Sequence, residues 1–117
     1  MPRNTLSEFT TEEVDALALG WHEAFLMSRI EDSPVDTGDI VVLDLLTHRA
    51  DGVLSETVEQ SIQALEKCSE FFEPYFVGAD LDRDSPEFLN IIYPMQQNSE
   101  MIRLRFRRAI DVLKSKL

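Results

Sequence analysis

The chain has a single cysteine, Cys68, so no intramolecular disulfide can form and nothing implies an oxidising compartment. Its four glycines are scattered at Gly20, Gly38, Gly52 and Gly78, which excludes a glycine-rich loop that could cradle a phosphate. The two histidines, His22 and His48, lie far apart and neither has a neighbouring Cys, Asp or Glu arrangement at zinc-site spacing. No serine sits in a strained glycine elbow, and no nucleophile stands at a diagnostic distance from either histidine. Apolar runs are short: no stretch approaches the roughly 20 residues of a membrane span, and Met1-Pro2-Arg3-Asn4 does not open a signal peptide. These absences lead to the expectation of a cytoplasmic protein that is not an enzyme and holds neither metal nor cofactor.

Cations are also scarce. Eleven Lys and Arg face 22 Asp and Glu, for a formal net charge of −11. The imbalance is uneven, because residues 1–100 carry −16 and residues 101–117 carry +5. Such an acidic body repels nucleic acid and anionic membranes and speeds encounter with basic proteins. A length of 117 residues at 44% hydrophobic content suits one core and is too apolar for a disordered polyelectrolyte. The expectation is a single helical domain over residues 1–117, with 1–9 a flexible lead-in from which Leu6 and Phe9 are available to pack.

What is present is helical periodicity. Thr10 and Glu13 fit a capping box at the start of a first helix, whose stripe runs Val14, Leu17, Trp21, Phe25 and Ser28, broadened by Leu19, Leu26 and Ile30. Gly20 inside it costs about 1 kcal/mol of helix propensity, which marks a place where a neighbouring helix approaches closely. Glu31-Asp32-Ser33-Pro34 is a stop. The segment Ile40 to Leu46 has the β-branched start of a strand, but no second strand exists to share its backbone hydrogen bonds, so helix is the reading, running through Ala50 to a stop at Gly52.

Ser55 caps a third helix with the stripe Val58, Ile62, Leu65, Ser69 and Phe72, extended by Phe71 and ended by Pro74. Cys68, spaced among Leu65 and Phe72, reads as a small buried apolar group. Ser85-Pro86-Glu87 starts a short helix through Tyr93, interrupted near Pro94, after which the last helix forms either as a kinked continuation or after a break at Gln97-Asn98-Ser99. From Asn98 to Leu117 the positions Ile102, Phe106, Ala109, Ile110, Leu113 and Leu117 recur at helical spacing. The fold class expected is all-α: an irregular antiparallel bundle of four main helices plus a short fifth near Pro86–Tyr93.

Two charged surfaces are the candidate sites. Glu56, Glu59, Glu66, Glu70 and Glu73 lie along the third helix, and Asp80, Asp82, Asp84 and Glu87 continue the series. The alternating aspartates fail as a calcium loop, since Ser85 falls where the turn glycine belongs and Ile91 where the bidentate glutamate belongs. As a protein-binding surface, Glu66, Glu70, Glu73, Asp80, Asp82 and Asp84 supply charge, while Tyr75 and Phe76, with Phe71 and Phe72, are candidate apolar anchors or core fillers. The second surface is the basic face of the last helix, Arg103, Arg105, Arg107 and Arg108, which either contacts phosphates or pairs with Glu59, Glu66, Glu70 or Glu73 of the third helix.

From these features the function expected is that of a small acidic binding protein. It would block a basic, nucleic-acid-processing protein by occupying its basic surface, as bacteriocin immunity proteins and phage-encoded inhibitors do. That comparison is one of size and charge, with no shared motif. The alternatives are a structural, adaptor or chaperone-like helical dimer, and a nucleic-acid binder that uses the C-terminal arginines. Monomer and homodimer both remain open.

Overall fold

Five α-helices, and no strand, make up the residues that the computed structural model describes, which are 9–30, 33–48, 55–72, 84–86 and 88–117. Helix α1 spans Thr11–Ser28, α2 Thr37–His48 and α3 Ser55–Phe72. A π-helical turn, Phe88–Ile92, runs directly into the short α4, Tyr93–Gln97, and α5 spans Ser99–Ser115. This is the helical bundle expected, with α1, α2, α3 and α5 as its main members.

Helix α5 packs chiefly on α1 and α3, and α2 closes the other side of α1. Ion pairs fix the directions. Lys116 meets Glu13 near one end of α1 and Arg105 meets Glu23 further along, so α5 runs antiparallel to α1. Lys114 beside Glu66 and Arg103 over the Phe72 ring make it antiparallel to α3 as well. The core between these helices is built from Leu17, Met27, Val58, Leu65, Cys68, Phe72, Ile102, Phe106 and Leu113. Burial pushes the Cys68 thiol up to about 12, which keeps it protonated and inert.

The start of α1 is the capping box read from sequence. The Thr10 backbone N–H donates to Glu13 Oε1 at 2.8 Å and the Glu13 N–H donates to Thr10 Oγ1 at 3.2 Å. Phe9, the lead-in residue available to pack, is buried, with Lys116 Nζ 5.3 Å from its ring centroid. Residues 1–8 lie outside the described residues.

The backbone N–H of Thr10 and the ammonium of Lys116 both favour the Glu13 carboxylate and hold its pKa below the ordinary 4.5. A depressed carboxylate pKa stabilises the fold above the unfolded-state value, and that stabilisation is lost as pH falls through the folded-state value. Glu13→Gln can keep the reciprocal cap but loses the charge that faces Lys116 and the helix N-terminus, so it should lower stability at pH 7 by about 0.5 kcal/mol. Its deficit should shrink below about pH 4. Urea unfolding of both proteins at pH 7 and pH 3 measures this, and an equal deficit at both pH values would refute it.

The ambiguous segment at 40–46 is helical. Its start is fixed upstream by a reciprocal cap that sequence reading missed: the Asp39 N–H donates to Asp36 Oδ1 at 2.8 Å and the Asp36 N–H to Asp39 Oδ2 at 3.3 Å. The flanking pair Val35 and Ile40 is buried and half-buried respectively, the positions of a hydrophobic staple. The cap starts the helix at Thr37, three residues ahead of the β-branched run. The helix ends at His48, and residues 49–54 lie outside the described residues.

Three other expectations need correction. The buried line of α1 is Leu17, Gly20, Ala24 and Met27 with Glu23, not the line through Trp21 and Phe25. Trp21 is half-buried and stacked on Phe25 at 5.4 Å, and Phe25 is 38% exposed. The reason is distance: α5 approaches α1 across its small residues, and the aromatics move to the flank.

Pro94 does not interrupt its helix. The wider π turn before it makes room for the ring and needs no N–H from it, so the backbone stays helical to Gln97. The break falls at Asn98, with φ −115° and ψ 28°, whose side-chain amide donates to the Pro94 carbonyl at 2.9 Å. Finally, Leu117 lies beyond the end of α5 and is 59% exposed.

Candidate functional site

Helix α3 divides its residues cleanly. Val58, Ser61, Ile62, Ala64, Leu65, Cys68 and Phe72 turn inward, while Glu56, Glu59, Gln60, Gln63, Lys67 and Glu70 face solvent. This is the separation expected when a helix covers a core with one stripe and leaves the other face hydrated. Of the acidic residues singled out from sequence, Glu70 is exposed on this face and Asp84 is exposed in the turn before Phe88. Glu66 sits at the edge facing α5, where Lys114 Nζ is 3.3 Å from its Oε2. Glu73, Tyr75, Phe76, Asp80 and Asp82 lie outside the described residues. Phe72 is buried and Phe71 packs against the core, so both serve the fold.

The four arginines of α5 separate into different roles. Arg105 bonds the buried Glu23 of α1, with Nη1 and Oε1 2.5 Å apart. The guanidinium of Arg103 lies 5.9 Å from the centre of the Phe72 ring. Arg107 and Arg108 are exposed. Pairing with carboxylates was expected, but with those of α3. Lys114 takes Glu66, and Arg105 instead reaches across to α1. The signal for this was in the sequence, since Glu23 lies three residues beyond Gly20 and so on the face that α5 approaches.

Comparison with known protein families, with curated proteins and with solved structures finds no match to this chain.

Between α1 and α5 lies a groove of about 400 Å³ that sequence reading did not anticipate. Its apolar lining is Ala16, Leu19, Met101 and Leu104, and the last three are each more than two-fifths exposed. Glu12 and Asp15 add charge from α1, and Arg105 and Arg108 from α5, the two pairs lying at different levels along the groove. Met101 and Leu104 stand off the stripe of α5 that runs through Ile102, Phe106, Ala109 and Leu113, so apolar residues on a basic face were the available signal. A smaller, more polar hollow of about 200 Å³ adjoins it, sharing Met101 and Arg105 and opening beside His22, Asn90 and Asn98.

Among the described residues no group of three or more His, Cys, Asp and Glu is placed to hold a metal ion. No helix among them is long and apolar enough to cross a membrane. Two surfaces of the described residues stand out: the acidic face of α3 and the groove between α1 and α5, whose lining is apolar and charged. Both are suited to contact with macromolecules, one by long-range attraction and the other by burial of apolar area.

Proposed function

We propose that this chain is a non-enzymatic binding protein that occupies the basic surface of a protein partner, of the kind that handles nucleic acid, through the acidic face of α3. The observation that carries this reading is the solvent-facing line of Glu56, Glu59 and Glu70, with Lys67 as its single exposed cation, on a chain of net charge −11. A partner that binds phosphates presents a positive surface, and a rigid helix lined with carboxylates matches it in charge while blocking access. No bond-making step is required.

The alternative of a nucleic-acid binder is less well supported. Arg105 is engaged with Glu23 and Arg103 stacks on Phe72, leaving Arg107 and Arg108 against a body whose charge repels a phosphate backbone.

The test is affinity capture from lysate at low and moderate salt, with wild type beside the triple variant Glu56→Lys, Glu59→Lys, Glu70→Lys. All three sites are exposed, so the variant retains its helical circular dichroism. Recovery of one basic protein by wild type, reduced at least about tenfold in the variant and by added salt, is the expected result. Equal recovery by both proteins, or none by either, would sink the reading.

A further inference from the structure

Glu23 is 3% exposed, and its only hydrogen bond among the described residues is the one that its Oε1 accepts from Arg105 Nη1. That leaves Oε2 without a partner. Among the described residues the one fully enclosed side-chain nitrogen or oxygen that lacks a partner is Trp21 Nε1, so Oε2 of Glu23 is not fully enclosed. Its remaining surface opens on the hollow of about 200 Å³ that Glu23 lines. Arg105 lines the same hollow, and its other guanidinium N–H groups likewise have no partner among the described residues.

Two irregular stretches of backbone converge on this place. The π turn Phe88–Ile92 brings Asn90 and Ile91 to the hollow, and the break between α4 and α5 brings Asn98. Such π turns are frequent at functional sites.

The charge pair sets the chemistry of an occupant. A cation drawn to Oε2 would face the Arg105 guanidinium, and an anion drawn to Arg105 would face the Glu23 carboxylate, so a simple ion gains little. A molecule that carries both signs side by side leaves every charge with a partner. Its ammonium can donate to Oε2 while its carboxylate accepts from Arg105, each bond then being charged on both sides. Leu26, Ile91, Met95 and Met101 complete the lining with apolar surface, which suits a hydrocarbon body. An apolar cavity of about 150 Å³ holds benzene, so the hollow is sized for about eight to ten non-hydrogen atoms.

We infer that the hollow between α1, the π turn and α5 binds a free α-amino acid with an apolar side chain, its ammonium on Glu23 Oε2 and its carboxylate on Arg105. The inference concerns a different part of the molecule from the acidic face of α3 and does not rest on that reading.

The experiment is isothermal titration calorimetry of wild type with L-leucine and L-methionine, and with two analogues of leucine that each lack one charge. Isocaproate has no ammonium, and isoamylamine has no carboxylate. At least one of the amino acids should bind with a Kd below about 1 mM, and each analogue at least about tenfold more weakly than leucine. Glu23→Gln keeps the shape of the side chain and removes its charge, while Asn90→Trp, at an exposed position, narrows the mouth of the hollow. Both variants, verified as folded by circular dichroism, should lose at least about tenfold in affinity.

The analogues require no substitution, so they decide the need for both charges whatever a variant does to folding. The triple variant Glu56→Lys, Glu59→Lys, Glu70→Lys should bind the amino acid as wild type does. Heat from neither amino acid at about 10 mM would overturn the inference and leave the hollow to water. Either analogue binding as tightly as leucine would overturn it as well, as would a folded Glu23→Gln or Asn90→Trp protein that binds like wild type.

Discussion

Arg105→Met should destabilise the fold by about 3–5 kcal/mol in denaturant unfolding at pH 7, and Glu23→Gln by clearly less. The asymmetry follows from where the two partners sit. Glu23 is 3% exposed, whereas the Arg105 side chain keeps 24% of its surface in contact with water. Removing the arginine leaves a buried carboxylate without its countercharge, so its desolvation is left uncompensated. Removing the carboxylate leaves a guanidinium that can turn outward through the groove and rehydrate.

Replacing both partners, as in Glu23→Met with Arg105→Met, should restore most of the loss, since a buried ion pair is worth little more than well-packed apolar groups of like volume. A double variant as unstable as Arg105→Met alone would mean that the pair contributes through geometry rather than through satisfied charge.

Gly20→Ala comes next in size. In an exposed helix the substitution would stabilise by about 1 kcal/mol. Here a Cβ on residue 20 would stand 2.6 Å from the Cβ of Ala109, which is fully buried, with the Arg105 carbonyl and a Leu65 methyl also in contact range. Neither Cβ can rotate away, so α1 and α5 must separate. Forced expansion of a packed crossing costs about 1–3 kcal/mol, which reverses the sign expected from propensity.

Ala109→Gly is the rescue. Moving the missing Cβ from one helix to the other restores the spacing and returns the propensity that it takes away, so the double variant should lie within about 0.5 kcal/mol of wild type. A double-mutant cycle by thermal or urea unfolding measures the coupling. Strict additivity of the two single effects would show that the helices do not touch at this point.

Much of the architecture was legible because it depends on short-range chemistry. The Thr10–Glu13 cap, the stripe of α3, the stripe of α5 as far as Leu113 and the burial of Cys68 each follow from spacing within one helix, and the structure has them where the pattern places them. Gly20 could be read as a close crossing because a glycine in mid-helix has a cost that only a neighbour explains. The helix at Thr37–His48 follows from the want of a partner strand, and its direct cause, the reciprocal cap between Asp36 and Asp39, is a short-range pattern of the same kind.

Other features were not legible because they belong to pairs of helices. Which flank of α1 faces α5 depends on how closely the two axes approach, and a line containing glycine and alanine wins over one containing Trp21 and Phe25 only when that distance is known. The partner of Arg105 lies 82 residues away, and many carboxylates were available to it by charge alone. Whether Pro94 or Asn98 ends a helix depends on whether the turn before the proline widens, which packing decides.

The sequence by itself determined an all-helical chain with an acidic body and a basic last helix, because propensity, capping and periodicity act over a few residues. Tertiary structure alone decided that Glu23 is buried against Arg105, and that Leu19, Met101 and Leu104 are left exposed along the groove between α1 and α5. Those outcomes depend on the rotation and spacing of helices distant in sequence, and no local pattern fixes either.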